Sequence, residues 1–234
     1  MLLEALVPSA STFASDIDSL VDTIFWIVGA WFLLAEGVFF YFIFRYRAKD
    51  GQKAQYVSGT THKQKLWIEV PHFLVLAFDV FLLWGAITVW YQVKQQLPEP
   101  DERIRIIAQQ WAWSFDHPGP DKILDTADDI SMSHELHVKV NTVYNFELES
   151  KDVHHSFSVV PFRLKQDTIP GRTITGWFEP TKTGVYDIQC AEMCGVAHGA
   201  MAAKIFIHDE EDYEKWLTAQ AAKNNNTIVA QNLK

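Results

Sequence analysis

Residues 190–201 read CAEMCGVAHGAM and concentrate the candidate metal ligands of the chain in one short stretch. One predicted strand, 184–189, precedes this stretch, and another, 203–208, follows it, so the stretch is predicted to be a loop of a β-sheet. The candidate ligands on the loop are Cys190, Cys194, His198 and Met201. Soft sulfur with imidazole is typical of copper electron-transfer sites, where a weak Met completes the ligand shell. A second thiolate would allow two coppers to be bridged.

The two cysteines are the only ones in the chain, and the residues alone leave several interpretations open. They could form a disulfide, a thiol redox pair, or part of a structural zinc site. Zinc seldom uses Met, and a further upstream histidine favours copper. The segment DVHHSF, residues 152–157, supplies such a histidine at the start of a predicted strand.

The second half of the chain is predicted to be a β-sandwich or barrel. Short segments of strand character alternate with turn residues such as HPGP at 117–120 and IPGR at 169–172, without helical periodicity between them. The predicted strands are 104–107, 135–140, 144–148, 156–160, 173–178, 184–189 and 203–208. One short helix is predicted at 209–222, followed by a disordered, Asn-rich end.

The first half of the chain carries two apolar runs that predict a transmembrane hairpin, with helices at about 21–45 and 66–92. Aromatic residues near the ends of the second run, such as Trp67 and Trp90, suit membrane interfaces. The loop between the runs is basic, which predicts that it is cytoplasmic and that everything after the hairpin faces outside. The N-terminus does not resemble a secretory signal. We therefore expect an extramembrane segment (1–20), a hairpin (21–92), a β domain (93–217) and a flexible tail (218–234).

The outer part of the chain is acidic. From residue 92 onward, Asp and Glu outnumber Lys and Arg by 21 to 14. Such a domain favours a basic protein partner that electrostatic attraction can steer, and it argues against binding nucleic acid.

Four motifs in a fixed order give the chain a family resemblance. They are QWAWSF at 110–115, DVHHSF at 152–157, DTIPGR at 167–172 and the 190–201 loop. Together with the hairpin, they resemble cytochrome c oxidase subunit II over residues 21–217. The resemblance implies a cupredoxin domain whose dinuclear copper centre, CuA, accepts electrons from a cytochrome c and passes them to haem in subunit I, where oxygen is reduced to water and protons are pumped.

The resemblance also implies roles for individual residues. The thiolates of Cys190 and Cys194 would bridge two coppers, and His155 (not His154) and His198 would be terminal ligands. Met201 and the backbone carbonyl of Glu192 would be weak axial ligands. The Glu192 side chain would reach a magnesium shared with subunit I, with Asp167 and Arg172 at that interface. Trp111 would be exposed as the electron entry point, and Asp152 would be one of the acids that dock the donor.

Trp111 and Trp113 flank Ala112, so an extended segment would project both rings from the same face. The remaining histidines are interpreted as surface or packing residues: His62, His72, His117, His134, His137 and His208.

The expected partners are subunit I, subunit III, a cytochrome c and the lipid of a bacterial plasma membrane, with the copper domain on the periplasmic face. No haem is expected on this chain because it lacks the C-x-x-C-H motif. A quinol oxidase subunit II would lack the copper ligand set. A membrane-tethered copper chaperone would need a thioredoxin-like pattern, and a nitrous oxide reductase would be longer and lack the hairpin.

Two features depart from the family pattern. Gln64 stands where many members carry a glutamate implicated in proton entry, and the nearby Glu69 could substitute for it. The segment 116–129 is an acidic insertion, which we interpret as a solvated loop in preference to a calcium site.

Overall fold

A computed structural model describes residues 2–54 and 56–232 of the chain, with side chains as far as residue 223. A short helix, α1 (Leu2–Leu6), precedes two long ones, α2 (Ala14–Arg45) and α3 (His62–Trp90). Both α2 and α3 are long and apolar enough to cross a bilayer. They lie antiparallel, with Trp31 of α2 edge-on to Phe78 of α3. The predicted hairpin is therefore present.

Both long helices begin earlier than the sequence predicted. The α3 helix begins at His62 because the Gln64 side chain accepts a hydrogen bond from the backbone N–H of Thr61, at 3.4 Å. A single π-helical turn (Tyr91–Gln95) follows α3 and leads towards the β domain. The α2 helix begins at Ala14, before the apolar run, because its first turns pack on the β domain.

The N-terminal segment is attached to the β domain by a buried ion pair. Arg163 donates from Nε and Nη2 to the carboxylate of Asp18 in α2, at 2.7 and 2.9 Å. Its Nη2 also donates to the backbone oxygen of Val7 at 2.8 Å. Phe13 is buried against Trp177, and the Trp177 indole donates to the backbone oxygen of Val93 just after α3. Residues at both ends of the hairpin thus contact the same domain.

Ten strands are present in the part of the chain that the structure describes. They are β1 (Glu102–Gln109), β2 (Ala112–His117), β3 (Ile130–Ser133), β4 (Glu135–Lys139), β5 (Tyr144–Ser150), β6 (His155–Val159), β7 (Leu164–Thr168), β8 (Ile174–Phe178), β9 (Gly184–Cys190) and β10 (Ala202–His208). They form two five-stranded sheets, in the orders β3-β2-β1-β5-β8 and β4-β10-β9-β6-β7. The predicted cupredoxin-like β-sandwich is confirmed.

Alternating side chains of the two sheets meet in one apolar core. Trp113, Phe146, Phe157 and Phe178 are fully buried there, and Phe157 lies between Trp113 and Phe146. Such a packed interior holds the strand ends, and any ligands on them, in fixed positions.

Seven of these strands coincide with predicted strands, whereas β2, β3 and β7 were not predicted. The β2 strand has alternating burial, but we interpreted its tryptophans as a motif without assigning a strand. The β3 and β7 strands are short and polar, and they lie at sheet edges where pairing with a neighbour defines them. Such strands carry a weak sequence signal because their side chains need not alternate between core and solvent.

The predicted C-terminal helix is present as α4 (Glu210–Asn232), which is longer than expected. Ala219, Ala221 and Ala222 have high helix propensity and support the helix up to residue 222. The Asn-rich sequence that follows does not favour a helix, and nothing in the structure explains the extension. The flexibility of the predicted tail, 218–234, stays a prediction, and its last two residues lie outside the described part.

Histidine and aromatic rings attach α4 to the sandwich. Trp216 stacks on His137 at 4.5 Å between ring centroids and meets His117 edge-on at 5.1 Å. Burial lowers the pKa of His117 to about 3, and the neighbouring His137 adds to this effect. Burial likewise lowers the pKa of His137 to about 4, with His208 contributing. Both imidazoles are therefore neutral in the folded protein at neutral pH.

These histidines should make the β domain sensitive to acid. In the unfolded chain they bind protons below about pH 6.5, whereas in the folded chain His117 stays neutral to about pH 3. The free energy of unfolding should therefore fall by up to about 1.4 kcal/mol per pH unit for His117 as the pH drops through this window. Denaturant unfolding of the full chain, followed by near-UV circular dichroism, measures the effect. His117→Phe should reduce the pH dependence of the free energy of unfolding. The exposed control, His62→Gln, should leave that dependence unchanged. The same pH dependence in both variants would contradict the prediction.

Removing one partner of the Asp18–Arg163 pair should strongly destabilise the attachment of the N-terminal segment. Arg163→Ala leaves the Asp18 carboxylate buried without a counter-charge, which costs about 3 to 5 kcal/mol in such pairs. The same unfolding measurement tests this. Arg172→Ala removes an exposed arginine from a turn and should change stability little; an equal loss in both variants would show that the ion pair has no special role.

Candidate metal centre

Pairing between β6 and β9 brings the two halves of the candidate site together. Phe157 of β6 pairs with Cys190 at the end of β9. The backbone N–H of Ala191 donates to the backbone oxygen of Ser156 at 2.9 Å. This register places His155, the first residue of β6, beside Cys190. The loop that follows closes on itself, since the Cys190 N–H donates to the backbone oxygen of Met201 at 3.2 Å.

Six donor atoms converge on this point. The Sγ atoms of Cys190 and Cys194 lie 3.7 Å apart, and each has an imidazole nearby. His155 Nδ1 is 3.9 Å from Cys190 Sγ, and His198 Nδ1 is 3.6 Å from Cys194 Sγ. The Met201 Sδ is 3.8 Å from Cys194 Sγ, and the Glu192 backbone oxygen is 3.2 Å from Cys190 Sγ. The structure thus brings together the whole ligand set that the sequence analysis proposed.

The two cysteines are free thiols. Their 3.7 Å separation far exceeds the roughly 2.05 Å of a disulfide bond. The disulfide interpretation of the spacing is therefore wrong for this structure. His155, Cys190 and Cys194 are the one group of three or more potential metal ligands among the described Cys, His, Asp and Glu residues.

The donor set fits a soft metal in a dry site. His155, Cys190, Cys194 and Met201 are buried. Burial and the neighbouring Cys190 raise the pKa of Cys194 to about 11, so a metal that binds the thiolate displaces a proton. Thiolates, imidazoles and a thioether suit copper better than a hard cation.

Asp152 orients the His155 ring. Its carboxylate accepts from His155 Nε2 at 2.8 Å and from the backbone N–H of Gln110 at 2.6 Å. Partial burial alone would raise the pKa of Asp152, but the hydrogen bond from His155 and those from the Gln110 and Val153 backbones lower it overall. Asp152 was predicted as a docking acid, and here its carboxylate holds the other ring nitrogen, Nδ1, towards Cys190.

The turn between β1 and β2 covers the loop. Gln110 Nε2 and Trp111 Nε1 both donate to the backbone oxygen of Cys194, at 2.8 and 3.3 Å. Gly195 has a φ of +123°, and a Cβ there would lie only 3.0 Å from Gln110 Nε2. Only glycine accommodates both the backbone conformation and the close approach.

The expectations for the two tryptophans need correction. Trp111 is half-buried, not fully exposed, because its indole lies against the Cys194 loop. The two rings do not share one face of a strand, since Trp111 lies in the turn and Trp113 lies inside β2. Trp113 is fully buried and meets the His155 ring edge-on at 6.2 Å.

Of the residues expected near magnesium, Glu192 lies on the Cys190 loop, and Asp167 pairs in β7 with Ser156, the neighbour of His155. The Glu192 side chain is half-buried, and Arg172 is exposed. Asp167 lies 3.4 Å from His154 Nε2, so His154 is directed away from the thiols. This placement agrees with the choice of His155 over His154.

The acidic insertion is built from its own hydrogen bonds. Asp125 forms two bonds to Arg105, at 2.8 and 3.0 Å, and Asp129 accepts from the Asp125 backbone. Asp128 accepts from Thr126 and from the Asp121 backbone. These carboxylates already have partners, Arg105 of β1 for Asp125 and groups of the loop itself for the others. We therefore keep the interpretation of a solvated acidic loop.

Two features of the site were not found from the sequence. The hydrogen bond between Asp152 and His155 could have been predicted, because the two residues lie only three positions apart in the DVHHSF segment. The Gln110 contact with Cys194 spans 84 positions of the chain. Only the folded structure shows that contact.

Comparisons with known proteins agree on one family. The model of "Cytochrome C oxidase subunit II, periplasmic domain" matches residues 102–207. An alternative cytochrome c oxidase subunit 2 of Bradyrhizobium diazoefficiens is 33% identical over 226 residues, covering 87% of this chain and 80% of that protein. Cytochrome c oxidase subunit 2 of Thermostichus vulcanus is 28% identical, covering 90% and 77%. A crystal structure of the periplasmic domain of subunit II of cytochrome oxidase from Bradyrhizobium japonicum is 27% identical, with a TM-score of 0.49, covering 55% of this chain and 99% of that one.

The Asp152 contact predicts a loss of metal affinity on substitution. Asp152→Ala frees the His155 ring to rotate, and partners of this kind contribute about 10- to 100-fold to metal affinity. Copper titration of the full chain against a competing chelator measures the change. Asp187→Asn alters an exposed acid that pairs with Lys204 and should bind copper as the wild type does; the prediction is wrong if the two variants weaken binding equally.

Proposed function

This chain belongs to the cytochrome c oxidase subunit II family, and we propose that it is the electron-entry subunit of a respiratory oxidase. The observation that carries the proposal is the convergence of two thiols, two imidazoles, a thioether and a backbone oxygen, where the start of β6 meets the end of β9 and the loop after it. Copper bound by these groups would supply one-electron transfer.

The ligands of that centre would be Cys190, Cys194, His155, His198, Met201 and the Glu192 carbonyl. The buried Trp113 packs edge-on against both His155 and Phe157 of the same strand, β6. The chain therefore limits movement of its ligands and excludes water from them. Both effects reduce the reorganisation that accompanies a change of charge.

Electrons would enter through Trp111. Its indole N–H donates to the backbone oxygen of Cys194, so a hydrogen bond connects the ring to the residue that carries a bridging thiol. Two exposed apolar side chains, Met193 and Val196, lie on the same loop and offer a contact surface for a donor. The acidic balance of the outer domain supports a basic donor such as a cytochrome c.

The remaining roles follow from the family and belong to the assembled oxidase. Electrons would pass to haem in subunit I, where oxygen is reduced and protons are pumped. The Glu192 side chain would bind a magnesium shared with subunit I, as suits a hard carboxylate. Subunit III is a further expected neighbour. The bacterial relatives support a bacterial plasma membrane, with the copper domain on the periplasmic face.

Copper analysis with electron paramagnetic resonance of the full chain in detergent tests the proposal. The full chain is preferable to an outer-domain fragment, because Ala10 and Phe13 belong to the domain core. We expect two coppers per chain and hyperfine structure shared equally over two nuclei, lost in Cys190→Ser.

Two methionines of the same loop provide a matched control. Met201 is buried beside Cys194, whereas Met193 is exposed. Met201→Leu should alter the spectrum and raise the reduction potential, since it removes an electron-donating thioether from the proposed ligand set. Met193→Leu should change neither. A single-copper signal, or bound zinc without a signal, would contradict the proposal.

A further inference from the structure

A crevice lies where the helical hairpin meets the β domain. Its volume is about 210 Å³, and its walls come from α2, α3, the turn after α3 and β7. One side is apolar and includes Ile17, Val89 and Trp90. The other side is basic and includes Lys94, Arg163 and Lys165.

The crevice lies at the level expected for lipid headgroups. The apolar α3 helix ends at Trp90, and Tyr91 follows it, which is the position where interfacial aromatics occur. Lys94 lies one turn beyond, in the π-helical turn that leads to the β domain. The apolar side is therefore continuous with the hydrocarbon region, and the basic side faces the headgroup layer.

The charges of the three basic residues are not equally available. The Arg163 guanidinium is used by Asp18 and by the backbone oxygens of Val7 and Val160. Lys94 Nζ instead donates to a neutral amide, Gln166 Oε1, at 2.7 Å.

No carboxylate of the described residues lies within ion-pair distance of the Lys94 ammonium. Lys165 is exposed and forms no ion pair with the side chains described, those of residues 2–54 and 56–223. Two ammonium groups therefore border the crevice without a full counter-charge.

We propose that this crevice binds an anionic phospholipid, with the phosphate held by Lys94 and Lys165 and the acyl chains lying along Ile17, Val89 and Trp90. Charge complementarity favours an anionic lipid over a zwitterionic one. The cationic group of a zwitterionic headgroup would be repelled by the two lysines. The apolar side favours a lipid over a soluble anion, which would leave that surface uncovered. Basic pockets beside transmembrane helices recognise anionic headgroups in this way.

The inference rests on insertion of the hairpin in a membrane and not on the copper centre. A failure of lipid binding therefore leaves the copper experiment unaffected, and the reverse also holds.

The test uses the full chain in nanodiscs of phosphatidylcholine with a minority of phosphatidylglycerol. After release into mild detergent, native mass spectrometry counts the lipids that remain bound. The wild type should retain phosphatidylglycerol in preference to phosphatidylcholine. Lys94→Gln with Lys165→Gln should weaken this retention about 30-fold, since each lysine near an anionic headgroup contributes about fivefold.

Two further double variants complete the design. Lys122→Gln with Lys151→Gln makes the same charge change at exposed positions far from the hairpin and should retain the lipid. Lys94→Arg with Lys165→Arg keeps both charges and should also retain it, which separates lost charge from a folding defect. Equal retention by the wild type and the Lys94/Lys165 glutamine variant would overturn the proposal. So would equal retention of both lipids, displacement by inorganic phosphate at similar concentration, or loss of the lipid when the chain is assembled with its oxidase partners.

Discussion

The pairing of β6 with β9 is the constraint on which the candidate metal centre depends. The two strands meet at Phe157 and Cys190, so the first residue of one strand lies beside the last residue of the other. A shift of this register by one residue would turn His155 to the opposite face of the sheet. The loop after Cys190 then needs only local contacts to bring its remaining donors to the same point.

The rest of the sandwich keeps this meeting point rigid. Trp113 packs against both His155 and Phe157, Asp152 holds the far side of the His155 ring, and Gln110 holds the Cys194 loop. The supporting residues come from two segments of the chain, 110–113 and 152, and hold donors on a third. A redox centre gains from such support, because ligands that cannot relax when the charge changes keep the barrier to electron transfer low.

The same domain is also fixed to the membrane helices. The Asp18–Arg163 pair connects α2 with the sandwich, and the Trp177 indole connects the sandwich with Val93, in the turn that follows α3. The orientation of the metal centre relative to the hairpin is thereby restricted. The crevice between the two parts arises from this arrangement, since neither the helices nor the sheet alone would enclose it.

Much of the function could be predicted from the sequence, because the informative residues are close together along the chain. The spacing of Cys190, Cys194, His198 and Met201 within one loop determined the type of ligand set, and two long apolar runs determined the hairpin. The acidic composition of the outer part indicated the sign of charge that a partner must carry. The polar edge strands β3 and β7 escaped prediction because pairing with a neighbour, not their own side-chain pattern, defines them.

The tertiary structure alone decided how these parts support one another. Asp18 and Arg163 are 145 positions apart, and Gln110 and Cys194 are 84 positions apart. No local sequence pattern predicts either contact. The contact between Asp18 and Arg163 explains why α2 begins before the apolar run. The packing of the β1–β2 turn on the Cys194 loop explains why Trp111 is half-buried. The sequence by itself determined which chemical groups the protein possesses, because local spacing and composition encode them. Which groups meet depended on strand register and core packing, because those are properties of the whole folded chain.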